Sequence, residues 1–513
     1  MTPPSTPSWI QRAPFLASVI NVKGREEQTL VEAPDGILTY SQASRLAYAL
    51  ATHLTQECGV SEGDRVLISD TPSVWFPVAI AAVQLMGGIP IPMNSTLPPA
   101  HIQAIAHDCA PRLALVNADE TQLGPVPTIS LRTGVLGPAV KKAPQFPATA
   151  SSPALIMYTT GSTGRPKGVV IPYSAHISAT ESLVEYLQYP RGSRILVATP
   201  GSFDYGLYQY VLAMHARGTA VVAPRPVLPL DLFSGIIENR IDVLPLVPTQ
   251  WRALVHLGDA VNNTILERIQ VGTSTGSPID NKLMRNIKRI IPSARFFSMY
   301  GLTECKRVSF LAPQLALTKP ESVGRPMPNC AVRIVDENDV PVEPGQVGEL
   351  LVRGPSIAYG YWNDSADVSG SVFCRDNQTG EALLRTGDLF RQDSDGDLYF
   401  VGRRDDIVKV HDMRVSLIEV DQFLNSLPGV IDAISFVRST PEGPSLGAQA
   451  VADRELSLTA LRREMRSAGC PNHMLPSELF VVDSIPRSAN GKPLRPRLAG
   501  VVVSGSEGED NAG

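Results

Sequence analysis

Cysteine is scarce in this chain, and it does not cluster. Six cysteines (Cys58, Cys109, Cys305, Cys330, Cys374 and Cys470) are spread over 513 residues with no Cys-x-x-Cys spacing, which excludes a disulfide framework and a zinc site of the usual spacing. Charge of one sign is also lacking. Against 50 acidic residues stand 45 basic ones, a net charge of −5, so the electrostatic footprint of a nucleic-acid or anionic-membrane binder is absent. Long apolar runs are missing too. The longest, Phe76 to Met93, is broken by Pro77, Pro90, Pro92 and Gly87-Gly88. It reads as a buried helix followed by a strand, since a membrane span needs about 20 uninterrupted apolar residues. Met1 to Arg12 is rich in Pro and Ser without an apolar core, so no secretory signal is read and a cytoplasmic location is expected.

What remains is a globular chain with 43% hydrophobic residues and material for about three structural units. Its 40 Gly and 44 Pro exceed the average share, which places many glycines at chosen loops. From about Gly63 to Phe297, short β-branched runs alternate with longer amphipathic segments, the pattern of parallel sheet built from βα units. Strands are expected at Arg65 to Ser69, Ile89 to Pro92, Arg112 to Val116, Leu155 to Tyr158, Ile195 to Ala198, Ala220 to Ala223 and Val243 to Leu246. Helices are expected at Ser174 to Leu187, Leu207 to Ala216, Leu230 to Asn239 and Asn281 to Ile291. Ser322 to Phe400 reads as a smaller β-rich unit, and the chain after Gly402 as a compact α+β piece. Ser504 to Gly513 is acidic, small and polar, the composition of a disordered tail.

The strongest local signal follows the expected strand ending at Tyr158. It runs Thr159-Thr160-Gly161-Ser162-Thr163-Gly164-Arg165-Pro166-Lys167-Gly168. Glycines let backbone approach an anion, hydroxyls and amides offer donors, and Lys167 adds a point charge. The spacing differs from the usual nucleotide P-loop, because Pro166 stands where the second glycine would be.

This loop resembles the signature of the adenylate-forming superfamily, which includes acyl- and aryl-CoA synthetases, adenylation domains of non-ribosomal peptide synthetases, and luciferases. Four further segments resemble its motifs in order. They are Tyr300-Gly301-Leu302-Thr303-Glu304, Thr386-Gly387-Asp388, Gly402-Arg403-Arg404-Asp405-Asp406 with Lys409, and Asn490-Gly491-Lys492. The resemblance implies a large N-terminal region (1–402) of two doubly wound α/β subdomains plus a β-barrel-like subdomain, followed by a small mobile α+β domain (403–503).

It further implies that ATP and Mg²⁺ activate a small carboxylic acid to an acyl-adenylate with loss of pyrophosphate. Thr159 to Lys167 would then serve the β and γ phosphates, Thr303 the α-phosphate, and Glu304 the Mg²⁺, for which a carboxylate oxygen is the preferred hard ligand. Tyr300 would stack on adenine beside Gly301, Gly276 and Ser277. Asp388 is suited to two ribose hydroxyls, with Arg403 assisting. Lys492 would bridge the α-phosphate and the carboxylate. Asp405 would be the hinge for a second step, in which the thiol of CoA or of a carrier protein's phosphopantetheine attacks the adenylate.

One departure bears on that second step. Relatives place a glycine in the thiol tunnel after the lysine matching Lys409, whereas this chain has Asp412. A negative side chain there narrows the tunnel, so the expectation is intact adenylation with thioester formation weak, slow or left to a partner ligase or acyl carrier protein. The resemblance places the acyl pocket at Phe203, Asp204, Tyr205, Trp251, Gly272, Thr273 and Ser274. The small residues from Gly272 onward suggest room for a bulky or extended acid. Asp204 has two readings: it pairs with the ammonium of an amino-acid substrate, or it caps the helix beginning near Tyr205. Two other readings compete with the whole assignment: a luciferase-like oxygenase that oxidises the adenylate, and a catalytically dead nucleotide-binding module.

Overall fold

The computed structural model describes residues 10–117, 126–131, 148–160, 166–225, 227–258, 263–363, 370–376, 380–404, 407–410, 413–440, 443–487 and 493–495. It has a mixed α/β fold. Two parallel sheets stand where the sequence shows one continuous pattern. Arg65–Ser69, Ile89–Met93, Leu113–Val116 and Thr128–Ser130 form a four-stranded sheet, all parallel. Arg194–Val197, Thr219–Val222, Val243–Pro245, Val271–Ser274 and Arg295–Tyr300 form the parallel centre of a nine-stranded sheet, to which Thr29–Ala33 adds in parallel from outside the range of that pattern. Chain order reverses at Arg194–Val197, which has Thr219–Val222 on one side and Val243–Pro245 on the other.

The helix Trp75–Leu85 explains how the two sheets hold together. Every one of its residues is buried, as expected of a helix apolar on all faces. It shares one core with Val66, Ile68 and Leu113 of the first sheet and with Ile195, Val197 and Val222 of the second. Helix starts follow local chemistry. Thr39 opens Tyr40–Gln56 with a reciprocal box, its hydroxyl accepting from Gln42 N at 3.3 Å while its own N–H donates to Gln42 Oε1 at 2.8 Å. Asp280 caps Asn281–Ile290 through Leu283 N at 2.7 Å.

The β-rich unit is antiparallel. Ala331–Val335, Gly348–Arg353, Ala382–Gln392 and Phe373–Arg375 lie in that order, and Leu398–Arg403 pairs with Ala382–Gln392. Among the described residues the outer strands do not close into a barrel. The expected boundary after residue 402 falls inside the strand Leu398–Arg403. Beyond it, Val410 to Leu475 build a separate core under the helices Leu417–Ser426 and Leu458–Ser467. Its sheet is a long hairpin, Val430–Thr440 with Gly443–Ala452, extended in parallel by Glu478–Val481.

Candidate active site

The glycine-rich segment is carried by a hairpin rather than by a βα turn. Pro153–Thr160 and Pro166–Pro172 run antiparallel, with Thr159 opposite Lys167 and Tyr158 opposite Gly168. Gly161, Ser162, Thr163 and Gly164 at its tip lie outside the described residues. Gly168 is needed for contact across the hairpin, because a Cβ there would lie 2.9 Å from both Ile156 Cγ2 and Tyr158 Cζ. The Tyr158 hydroxyl donates to the Asp108 carboxylate, which fixes the ring in place. Lys167 Nζ stands 5.0 Å from the centroid of the Tyr361 ring, within reach of a cation–π contact.

A second element approaches from the strand Arg295–Tyr300. The chain folds back just after it, and Val308 N donates to Tyr300 O at 2.9 Å. Only glycine fits at 301, since a Cβ would meet the Lys306 carbonyl oxygen at 2.2 Å and Arg307 Cα at 2.8 Å. This turn presents Thr303 and Glu304, both half-buried. Tyr361 OH donates to Glu304 Oε1 at 2.9 Å, and Ala358 N donates to Glu304 O at 2.8 Å. The two-residue strand Gly360–Tyr361 pairs with Val170 and Val169 of the hairpin, and Trp362 N donates to Gly168 O at 2.6 Å. Residues 358–362 therefore strap the Lys167 arm to the Glu304 turn, and the Tyr361 side chain touches both.

The third part is set by register. Asp388 lies opposite Arg403 in the antiparallel pair, and Arg403 Nε is 3.1 Å from Asp388 Oδ1. Gly387, with φ 68°, adopts the left-handed conformation that lets the strand turn there, and Asp388 N donates to Thr386 Oγ1 at 3.1 Å. Tyr300 OH donates to Asp388 Oδ2 at 2.6 Å, while its ring meets Phe390 edge-on at 4.7 Å and lies against Phe400 at 6.2 Å. Burial, then the Asp388 carboxylate, raises the Tyr300 phenol well above its ordinary value, so it stays a donor. Thus Tyr300, Asp388 and Arg403 meet, and Lys167 and Glu304 meet through Tyr361. Gly276 lies exposed in a turn at φ 91° beyond the strand Val271–Ser274, with Ser277 Oγ donating to its carbonyl at 2.8 Å.

The acyl-pocket expectations need correction. Trp251 is fully buried, its Nε1 donating to Thr273 O at 3.1 Å and its ring edge-on to Phe296 at 5.4 Å. Gly272 makes room for that core and not for an acid, because a Cβ there would lie 2.9 Å from Ile291 Cδ1 and from Phe296 Cδ2. Tyr205 and Thr273 do meet, at 2.6 Å between hydroxyls, while Ser274 is buried and Phe203 half-buried. The capping reading of Asp204 fails. Phe203 is the N-cap of the helix Asp204–His215, with no side-chain cap. The Asp204 carboxylate is instead 2.9 Å from Lys306 Nζ and 2.7 Å from Arg307 Nη1.

Lys306 and Arg307 carry no motif signal in the sequence, although they directly follow the Tyr300-to-Cys305 segment. Burial pulls the Lys306 ammonium below its ordinary value, with Asp204 opposing. Burial acts on Arg307 in the same direction, but Asp204 together with Tyr186 and Tyr205 outweighs it and raises the guanidinium above its ordinary value. His176 beside them is driven down to about 3 by burial and then by Lys306, so it is neutral. Tyr361 is likewise missed by sequence reasoning, since nothing in Gly360-Tyr361-Trp362 marks it before the strap is seen. Asp405, Asp412 and Lys492 lie outside the described residues, and Lys409 sits in the strand Ile407–Val410 opposite Arg414.

Among the described residues, one acidic group is tight enough to share a cation: Asp393, Asp395 and Asp397. Lys319 Nζ already fills it, at 2.8, 2.7 and 2.6 Å. Glu304 stands apart from any such group, as suits an ion shared with nucleotide phosphates rather than caged by protein. No helix among the described residues is long and apolar enough to cross a membrane.

Comparison with known proteins shows the family. Phosphinothricin tripeptide synthetase PhsC of Streptomyces viridochromogenes is 30% identical over 481 residues, which take in 91% of this chain and 43% of that protein. The dimodular nonribosomal peptide synthase of Bacillus subtilis is 29% identical over 467 residues, covering 88% of this chain and 19% of its own length. The chain thus spans less than half the length of these curated relatives. The O-succinylbenzoate coenzyme A synthetase MenE of Bacillus subtilis, solved with AMP, superposes with a TM-score of 0.83 at 24% identity, over 96% of this chain and 98% of that one. ATP-bound MatB of Rhodopseudomonas palustris gives 0.83 at 22%, over 94% and 97%. Residues 20–362 match the family described as AMP-binding enzyme, and with two-thirds of its length inside that match the chain belongs to the AMP-binding enzymes of the adenylate-forming superfamily.

Proposed function

We propose that the protein activates a carboxylic acid with ATP and Mg²⁺, giving acyl-AMP and pyrophosphate. The observation that carries this reading is the convergence of Tyr300, Asp388 and Arg403 on one side of the Gly301 turn with Glu304, Tyr361 and Lys167 on the other. One group suits a nucleoside and the other a polyphosphate. Asp388 would take the ribose hydroxyls, its carboxylate having acceptor capacity beyond Tyr300 and Arg403. Tyr300 would flank adenine.

Attack of the acid's oxygen on the α-phosphorus leaves negative charge on both the α-phosphoryl group and the departing pyrophosphate, so positioned cations supply most of the rate. Lys167 and the hydroxyls of the hairpin tip would hold the β and γ phosphates. Glu304 would hold Mg²⁺, whose charge offsets that of the leaving group, and Thr303 would contact the α-phosphate. Lys492, from the C-terminal unit of residues 403–503, would bridge the α-phosphate and the incoming carboxylate.

The thiol step follows if that unit turns about Asp405 and CoA or a carrier-bound pantetheine reaches the adenylate. Asp412 in place of a glycine would put a negative side chain in that path, so adenylation should outpace thioester formation. Acid-dependent exchange of labelled pyrophosphate into ATP, compared with CoA thioester formation by the same preparation, tests this. Exchange should be fast and thioester slow, and Asp412→Gly should raise the thioester rate about tenfold without changing exchange. Rapid thioester formation by the unaltered protein would refute the slow second step.

A further inference from the structure

The cluster behind the Gly301 turn holds more basic groups than acidic ones. Asp204 is one carboxylate shared by two basic side chains, with side-chain exposures of 8% for Asp204, 1% for Lys306 and 5% for Arg307. The guanidinium is always charged. Its Nη1 donates to Asp204 Oδ2 and to the Lys306 carbonyl, both at 2.7 Å, and its Nε has no hydrogen-bond partner among the described residues. Among the described residues, the phenols and the imidazole around the cluster supply no second anion. Tyr205 lies 5.3 Å below Arg307 and Tyr208 lies 6.0 Å from Lys306 Nζ, and burial raises both phenols well above their ordinary values. His176 contributes a neutral imidazole, with Nδ1 2.9 Å from Tyr208 OH.

A cation buried without its counter-charge is costly, and a carboxylate brought by the ligand would offset that cost while satisfying Arg307 Nε. The cluster is also where a ligand would reach it. It lies where the helix Asp204–His215 begins and where the strand Arg295–Tyr300 ends, the edge at which open α/β sheets take their ligands. The bare Gly301 backs directly onto Lys306 and Arg307 and joins them to the turn carrying Glu304.

We infer that the acid activated here carries a second carboxylate, which pairs with Arg307. The inference rests on the adenylation reading above. It also sets α-amino acids aside, because their ammonium would face Lys306 and Arg307 while Asp204 is already engaged. Arg307 is thus a specificity-determining residue, and it acts on the end of the acid that does not react.

The test is pyrophosphate release with straight-chain monoacids, diacids of the same lengths and the matching 2-amino acids. For the preferred length, the diacid should exceed the monoacid about a hundredfold in kcat/KM, as for a site left with an unpaired polar group when the analogue lacks its partner. Arg307→Met should erase most of that preference and Arg307→Lys should restore part of it, with ATP affinity by calorimetry reporting that each variant is folded. Equal or better use of monoacids or amino acids would overturn the inference and leave adenylation standing. Absence of pyrophosphate release with every acid would overturn both.

Discussion

His176 shows how a residue that looks unremarkable in sequence becomes informative once its neighbours are known. It is 1% exposed, lies face to face with Phe15 at 6.4 Å, and meets Tyr208 edge-on at 5.3 Å. A folded-state value near 3 against an ordinary 6.5 means that the imidazole takes up a proton only on unfolding. Its contribution is present above pH 6.5 and is lost as the pH falls toward 3. Between pH 7 and pH 5 the protein should lose about 2 kcal/mol of stability through this group. Denaturant melts at the two pH values measure that loss, and His176→Gln should flatten the dependence. An unchanged slope in the variant would show that other groups set it. Trp251 and Gly272 make the opposite point. Motif order places them in an acyl pocket, but only packing shows that the missing side chain of Gly272 is filled by Ile291 and Phe296.

At the scale of elements, the strap of residues 358–362 links two motifs far apart in the chain. Tyr361 is its one side chain that touches both Lys167 and Glu304. Tyr361→Phe keeps the ring under the ammonium and removes only the hydroxyl. It should weaken the apparent Mg²⁺ affinity about tenfold, as loss of a hydrogen bond to a metal-binding carboxylate does. Binding of ATP without metal should stay within about twofold. A variant with unaltered Mg²⁺ dependence would show that the hydroxyl does not orient Glu304.

Elements with strong local patterns are legible in the sequence. Arg65–Ser69 and the helix Asn281–Ile290 appear within a residue of where their local patterns put them. The returning arm Gly443–Ala452 is not, because its glycines and alanines have weak strand preference and only the partner decides. Phe436 pairs with Gly447, where a Cβ would lie 2.3 Å from the ring, so the aromatic on one arm requires the glycine on the other. The arm Pro166–Pro172 is hidden for a similar reason, since its apolar residues follow a motif that reads as loop.

For the whole molecule, five motifs in order are enough to read the family, and in the proposed reaction each would pair a residue type with one part of the reacting groups. What the motifs cannot show is how the parts are joined. Asp388 and Arg403 meet through a strand register, Gly301 backs onto Lys306, and Asp204 is held by the two basic residues that follow the Glu304 turn. The proposed reaction joins an oxygen of the acid to the α-phosphorus of ATP. Acid labelled with heavy oxygen, incubated with ATP, Mg²⁺ and hydroxylamine to intercept the adenylate, reports that bond in the AMP released. One labelled oxygen should pass to AMP for each acyl hydroxamate formed, with transfer lost in Lys492→Ala; unlabelled AMP, or ADP and phosphate in its place, would rule out attack of the acid on the α-phosphorus.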